Sequence, residues 1–170
     1  MYLESSNPTL THVTITGNTS YNNGAGMFLT YSNPTLSHVT ITGNTANTNG
    51  GGIYILSSPH PTLTHVTITG NTAEYADGGG MYISSSNPTL THVTISNNEA
   101  NFGGGMLLSS SNPTLTHVTI TGNTAEYADG GGMCLYNSNP TLTHVTITGN
   151  TASEYGGGML LSSSNPTLTN

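Results

Sequence analysis

Short runs of alternating apolar and polar residues recur along the chain and predict β-strands. In Val13-Thr14-Ile15-Thr16, apolar residues alternate with β-branched polar residues, which is the period of a strand with one buried face. Thr9-Leu10-Thr11 and Met27-Phe28-Leu29 are two further short runs of this kind. Gly17-Asn18 and the glycine-rich stretch before Met27 supply breaks between them. No window has the apolar period of a helix.

These runs belong to a repeat of about 26 residues. The phrase Asn-Pro-Thr-Leu-Thr-His-Val-Thr-Ile-Thr-Gly-Asn-Thr begins at Asn7 and recurs with small changes. The later copies begin at Asn33, His60, Asn87, Asn112, Asn139 and, cut short, Asn165, at steps of 26, 27, 27, 25, 27 and 26 residues. A single unit of this size cannot bury its apolar residues alone, whereas a stack of such units can. The repeat therefore indicates a solenoid.

The fold class that follows is all-β, with residues 1–170 forming one parallel β-helix domain. We expect about six coils of 25–28 residues, three short strands per coil, and a bend near Thr11-His12 that lets Leu10 and Val13 both point inward. Equal repeat positions then form columns along the axis. The predicted core columns are the leucines from Leu10 to Leu142, the valines from Val13 to Val145, the isoleucines from Ile15 to Ile147, and the Met1/Met27 and Leu3/Leu29 columns.

Two polar columns accompany this predicted core. Stacked asparagine amides can bond along the axis and satisfy the backbone of the turn, so we interpret their column as structural. It consists of Asn18, Asn44, Asn71, Asn98, Asn123 and Asn150. Stacked imidazoles could hold a divalent ion between coils, but a ladder of neutral rings is the simpler interpretation, and we expect no metal. That column consists of His12, His38, His65, His92, His117 and His144, with His60 out of register.

The combination of Ile-Thr-Gly-Asn with Gly-Gly-Gly-Met resembles the paired repeats of polymorphic outer membrane proteins. The whole unit is similar to the right-handed parallel β-helix repeats of the pectate-lyase-like superfamily. This resemblance covers essentially the whole chain, and it implies right-handed coiling, secretion or cell-surface display, and often an adhesive role. Enzymes of that superfamily use acidic clusters, sometimes with calcium, or Lys and Arg. The sequence contains none of these motifs, so we expect no catalytic residues and no cofactor.

Two threonine arrays are the candidate binding surfaces. The residues on either side of the isoleucine column must point outward if the isoleucine points inward. This first array consists of Thr14, Thr16, Thr40, Thr42, Thr67, Thr69, Thr94, Ser96, Thr119, Thr121, Thr146 and Thr148. A second array flanks the leucine column: Thr9, Thr11, Thr35, Ser37, Thr62, Thr64, Thr89, Thr91, Thr114, Thr116, Thr141 and Thr143. Both arrays resemble the Thr-x-Thr faces of β-solenoid antifreeze proteins, which implies ordered water in an ice-like spacing. Thr is, however, favoured on any half-exposed strand.

Charge is the most unusual feature of the composition. The chain has no Lys or Arg, seven acidic residues, and a formal net charge of −7. Without cationic side chains it cannot neutralise phosphates, so we expect no nucleic-acid partner. No apolar run is long enough for a membrane span, so we expect no membrane insertion. Cys134 is the only cysteine, and an internal disulfide is therefore impossible.

A third outward column consists of Tyr2, Phe28, Tyr54, Tyr82, Leu107, Cys134 and Leu160. An exposed apolar strip of this kind would be a surface for self-association, unless loop residues cover it. No polar cap is visible at either end of the repeat array. We therefore expect a fragment or uncapped segment, or molecules that associate end to end.

Three functions remain open at this point. The first is a secreted or cell-surface structural or adhesive module that binds an extended surface ligand. The second is an ice-binding protein that works through the threonine arrays, and the third is a polysaccharide-active enzyme. Low charge fits both of the first two and does not distinguish them.

Overall fold

In the structure, a computed structural model that describes all 170 residues, the chain forms 26 β-strands and no helix. Each coil contributes one strand to each of four parallel sheets, which we name A to D in chain order. Every strand pairs in parallel with the equivalent strand of the next coil. The predicted parallel β-solenoid of about six coils is confirmed.

Sheets A and B contain seven strands each. Sheet A consists of β1 (Tyr2–Glu4), β5 (Met27–Thr30), β9 (Ile53–Leu56), β13 (Met81–Ser84), β17 (Met106–Ser109), β21 (Met133–Tyr136) and β25 (Met159–Ser162). Sheet B consists of β2 (Thr9–Thr11), β6 (Thr35–Ser37), β10 (Thr62–Thr64), β14 (Thr89–Thr91), β18 (Thr114–Thr116), β22 (Thr141–Thr143) and β26 (Thr167–Thr169).

Sheets C and D contain six strands each. Sheet C consists of β3 (Thr14–Thr16), β7 (Thr40–Thr42), β11 (Thr67–Thr69), β15 (Thr94–Ser96), β19 (Thr119–Thr121) and β23 (Thr146–Thr148). Sheet D consists of β4 (Thr19–Ser20), β8 (Thr45–Ala46), β12 (Thr72–Ala73), β16 (Glu99–Ala100), β20 (Thr124–Ala125) and β24 (Thr151–Ala152). Sheet D is an addition to the three strands per coil that the sequence predicted, because two residues are too few for an alternating pattern.

The core is built from columns of identical or similar residues. Because equivalent strands pair in register, Ile68 lies directly between Ile41 and Ile95, and Leu63 lies between Leu36 and Leu90. These columns join the Met and Leu/Ile columns of sheet A in one cluster of 24 buried residues. The predicted core columns are therefore confirmed. Burial falls toward the two end coils, where Leu168 is 67% exposed.

Each coil turns at four residues with positive φ. Two of these corners use glycine, at Gly43 (φ +61°) and Gly50 (φ +69°) in the second coil. The other two corners use side-chain-bearing residues, at Tyr31 (φ +50°) and His38 (φ +53°) in the same coil. Left-handed backbone is normally disfavoured for such residues, so stacking between coils must stabilise it. The predicted bend near Thr11-His12 is confirmed, with His12 at φ +54°.

The asparagine ladder lies inside the corner between sheets C and D. Asn71 Nδ2 donates to Asn98 Oδ1 at 3.0 Å and to the carbonyl of Ile41 at 3.0 Å. Asn71 Oδ1 accepts from both the backbone N–H and the side-chain Nδ2 of Asn44. The same pattern continues in the other inner coils, where the asparagines are fully buried. The structural role predicted for this column is confirmed.

A serine ladder at the corner between sheets A and B was not predicted. The backbone N–H of Ser58 donates to Oγ of Ser86 at 2.9 Å, and Ser86 Oγ donates to the carbonyl of Ser84 at 2.8 Å. The ladder consists of Ser6, Ser32, Ser58, Ser86, Ser111, Ser138 and Ser164. No buried side-chain nitrogen or oxygen of the β-solenoid lacks a hydrogen-bond partner.

The glycine stretch before sheet A lets neighbouring coils approach each other backbone to backbone. A Cβ on Gly52 would lie 2.5 Å from the carbonyl oxygen of Gly80 and 3.0 Å from Ile68 Cγ2. Backbone cannot move aside as a flexible side chain can. These glycines are therefore required by packing between coils.

Replacing Asn71 with Ala should destabilise the fold by about 3 kcal/mol or more, because it leaves several buried donors and acceptors without partners. The measurement is the free energy of unfolding in denaturant. Asn18→Ala is the matched control, because Asn18 is exposed at the end of the ladder and only donates to it. The control should cost about 1 kcal/mol, and equal losses in the two variants would contradict the ladder's role.

Gly52→Ala should cost about 3 kcal/mol, because the new methyl group overlaps the backbone of the next coil. Gly70→Ala is the matched control: it lies at φ +62°, but its Cβ would meet nothing within 4 Å. Only the strain of the left-handed conformation remains there, which is worth about 1–2 kcal/mol. Thermal and denaturant unfolding of the two variants would measure the difference, and the reverse order would refute this packing.

Candidate functional site

The two threonine arrays lie on the outer faces of sheets B and C. In sheet C, Thr67 and Thr69 are half-exposed, while Ile68 between them is fully buried. Thr62 and Thr64 flank buried Leu63 on sheet B in the same way. Every residue of both arrays is half-exposed or exposed. The structure therefore places all the predicted array residues on the surface.

The threonine hydroxyls are almost entirely free of protein partners. Among the threonines of both arrays, only Thr69 takes part in a side-chain hydrogen bond, in which its Oγ1 accepts from Ser96 Oγ at 3.0 Å. Parallel pairing aligns Thr67 with Thr40 and Thr94 in adjacent coils. Each array is therefore two straight columns of hydroxyl and methyl groups, with the hydroxyls available to solvent or a ligand.

The histidine column occupies the corner between these two faces. Successive imidazole centroids are 4.8–5.0 Å apart, and their planes differ by 12–28°. All six residues are exposed and have φ of 51–54°. At one position, Ser37 Oγ lies 2.9 Å from Nδ1 of His38. Because the rings stack one per coil, their separation equals the rise per coil and therefore the spacing of the threonine rows.

Together, sheets B and C and this corner form one surface, which we call the Thr–His surface. Each coil contributes the sequence Thr-x-Thr-His-x-Thr-x-Thr to it, with serine in place of one threonine at Ser37 and at Ser96. The surface carries no ionic side chain other than imidazole. No group of three or more His, Cys, Asp or Glu is arranged to hold a metal ion. Parallel rings 4.8 Å apart are also too far apart to share an ion at the usual 2.0–2.1 Å metal–nitrogen distance.

The coil architecture agrees with the result of a family comparison. A family model described as a right-handed beta helix region matches residues 1–151. The chain belongs to the right-handed β-helix family. Comparisons with curated proteins and with solved structures return no match.

The structure decides between the two alternatives for the aromatic and apolar column on the outer face of sheet A. In this β-helix, Phe28, Tyr54 and Tyr82 are half-buried; the rings of Tyr54 and Tyr82 stack at 5.1 Å, and that of Phe28 is tilted by 58° against Tyr54 at 5.0 Å. Leu107 is 1% exposed and Cys134 is fully buried. Of the two alternatives that the sequence left open, the one in which loop residues cover the column is therefore correct for the inner coils, whereas Tyr2 in the end coil is 58% exposed.

The loop from sheet D to sheet A explains this burial, because it folds over the column. A Cβ on Gly130 would lie 2.8 Å from Cβ of Cys134, so the backbone of the loop lies directly on that side chain. A Cβ on Gly103 would lie 3.0 Å from Cβ of Leu107 in the same way. Little of the column is left open to a partner.

One pair of acidic residues was not identified from the sequence. Glu99 replaces the threonine of the other sheet D strands and lies near Glu126 of the next coil, with which it lines one depression. Desolvation and the neighbouring Glu126 raise the pKa of Glu99. Because the repeat periods differ by up to two residues, no sequence spacing indicates that these two side chains meet. The depression around them is about 200 Å³, smaller than the usual ligand pockets.

The larger depressions of this β-helix, about 400 and 430 Å³, lie at its first and last coils. No depression opens on sheets B and C between those end coils. The β-helix contains no helical segment of the length and hydrophobicity that a membrane span requires.

Cys134 should be unreactive in the folded β-helix. Burial raises the pKa of its thiol to about 11, so at pH 8 only a minute fraction is thiolate, the form that reacts. Alkylation by iodoacetamide should therefore be about 100-fold slower, or more, than in the urea-unfolded chain. The unfolded chain is the control, and equal rates in the two states would show that the loop does not cover the thiol.

Proposed function

We propose that this β-helix is a non-catalytic scaffold, secreted or displayed at the cell surface, that binds an extended ligand through its Thr–His surface. The observation that supports this proposal is the in-register alignment of free hydroxyls along the whole length of sheets B and C. A ligand with its own repeat along one direction can contact many coils at once. Many weak contacts then add up to useful affinity.

The chemistry of the surface indicates what kind of ligand fits. Hydroxyls donate and accept hydrogen bonds, and threonine methyl groups supply small apolar contacts. Stiff χ1 rotamers mean that little side-chain entropy is lost on binding. With no Lys or Arg in the chain, a neutral, hydroxyl-rich ligand such as a polysaccharide fits better than a polyanion.

Ice is a second candidate ligand, favoured by one specific observation. On sheet C, threonine rows repeat at the 4.8–5.0 Å rise per coil, and the two threonines of a strand lie about 6.8 Å apart. Such a two-dimensional lattice of hydroxyl and methyl groups can order water at regular positions. The same free hydroxyls serve both candidates, so an assay must separate them.

Substituting Thr67→Tyr on sheet C, or Thr62→Tyr on sheet B, tests both candidates. Each residue is half-exposed in the third coil, and Tyr is well tolerated in strands, so both variants should fold. One bulky ring interrupts a flat face. Binding to the affected face should therefore fall roughly tenfold, or about 1.4 kcal/mol.

The measurements are thermal hysteresis with ice shaping, and co-sedimentation with crystalline cellulose and chitin. Hysteresis in the unmodified chain that disappears in one tyrosine variant would support ice binding and identify the face. Retention on a polysaccharide that weakens in one variant would support the adhesive proposal. If the unmodified chain shows neither activity, or if both variants bind as it does, the Thr–His surface does not bind a ligand of either class.

A further inference from the structure

The fourth coil departs from the repeat at the end of sheet C and in sheet D. Ser96-Asn97 replaces the Thr-Gly pair of the other full copies, and Glu99 replaces the threonine that every other sheet D strand carries at this position. The loop from this coil to sheet A, 101–105, is two residues shorter than the loops on either side, 74–80 and 126–132. Because the repeats are otherwise nearly identical, these differences make this part of the surface unlike the rest.

A shallow groove lies over this part of sheet D. The short loop leaves a depression of about 200 Å³ between its two longer neighbours, and Tyr75 and Tyr127 of those neighbours line it together with Glu99. A second depression, of about 300 Å³, lies on the other side of Tyr127 and reaches the sixth coil. Apart from those at the two ends, the β-helix has no other depressions. We call these two together the tyrosine groove.

The tyrosine rings give this groove its chemical character. Tyr75 is 69% exposed and Tyr127 is 70% exposed, although a tyrosine ring usually packs against its own protein. They occupy equivalent positions in two segments of identical sequence, 72–80 and 124–132, which are two coils apart. Two rises per coil separate those positions by about 10 Å along the axis. A group midway between them is about 5 Å from each, within the range of about 6 Å at which an aromatic ring attracts a cation.

Charge decides which kind of ligand suits the groove. Glu74, Glu99 and Glu126 line the first depression, and the chain has no Lys or Arg to neutralise them. A positively charged ligand supplies the missing counter-charge and is also attracted by the tyrosine faces. The first depression is too small to enclose a ligand, but a chain-like molecule can lie across both depressions.

Sugar rings match the other features of the groove. One face of a sugar ring is apolar and packs on an aromatic ring, and the hydroxyls around its rim donate to carboxylate and hydroxyl oxygens. The groove offers such oxygens at Glu99, Glu126, Thr151 and Ser153. A sugar chain with amino groups therefore satisfies both the aromatic and the charged parts of the lining.

We propose that the tyrosine groove binds a polysaccharide that carries free amines, such as a polymer of glucosamine. Its sugar rings pack on Tyr75 and Tyr127, and its ammonium groups lie beside Glu99 and Glu126. This site shares no residue with the Thr–His surface. The proposal is therefore independent of whether that surface binds a ligand.

Isothermal titration calorimetry of the full chain with a short glucosamine oligosaccharide tests the proposal at about pH 6, where ordinary carboxylates are ionised. The matched ligand is the fully N-acetylated oligosaccharide of the same length, which keeps the sugar rings but carries no charge. It should bind at least about tenfold more weakly. No binding of the amine form, or equal binding of the two forms, would overturn the proposal.

Tyr127→Ala should weaken binding of the amine form about tenfold, because Tyr127 lines both depressions. Tyr31→Ser is the matched control: Tyr31 is 65% exposed at the corner between sheets A and B, where Ser57 and Ser85 stand in the next two coils. Both side chains are exposed, so both variants should fold. If the two variants bind with equal affinity, the rings do not form the site.

Glu99→Thr restores the residue of the other sheet D strands, so this variant should also fold. It should weaken binding about fivefold, whereas Glu4→Gln, which removes one negative charge in the first coil, should not. Equal losses in these two variants would show attraction to the net charge of −7 alone and would overturn the proposal. Thr67→Tyr should bind the amine form as the unmodified chain does, and a loss there would instead place the ligand on the Thr–His surface.

Discussion

Stacking in register along the axis is the constraint on which this molecule depends. Most buried polar groups find a partner in the coil above or below, because a single coil provides too few donors and acceptors. Asn71 shows this directly: it exchanges hydrogen bonds with Asn44 on one side and Asn98 on the other. A ladder of this kind works only if each coil places the same side chain at the same point. The near-identity of the repeats follows from that requirement.

Much of the architecture could be predicted from the sequence because the repeat presents each physical signal six or seven times. One Thr-Ile-Thr triplet is weak evidence for a strand, but its recurrence with fixed spacing to Asn and Gly indicates a stack. Burial of Ile68 and exposure of Thr67 follow from the period of two. The asparagine ladder was predictable because an amide can donate and accept along the same axis.

Other features are determined by three-dimensional packing and leave little signal in the sequence. The strand Thr72–Ala73 is too short to alternate, and serine at Ser86 is as typical of an exposed loop as of a ladder. Histidine at positive φ has no local signature, since stacking with the next coil stabilises it. Cys134 is buried because a loop of seven residues, 126–132, closes over it. Contact between Glu99 and Glu126 depends on the offset between two coils of unequal length.

Variation in repeat length shows which part of the coil tolerates change. The segment that contains the Thr–His surface runs from Pro8 to Gly17 in the first copy. It has the same length in every later full copy of the repeat. The loops from sheet D to sheet A differ by up to two residues, and one extra residue precedes Pro61. The uniform length of this segment keeps the rows of sheets B and C straight. The loops from sheet D to sheet A vary in length, so their surface is less regular.

The half of the solenoid that contains sheets B and C is therefore the half suited to a ligand with its own repeat. The function of such a surface depends on the core beneath it, because a shifted coil would misalign all the rows at once. Neither half forms an enclosed pocket from one unique set of residues. The affinity of either half for a ligand must therefore come from the sum of contacts with many coils. It depends on the rise per coil rather than on any single side chain.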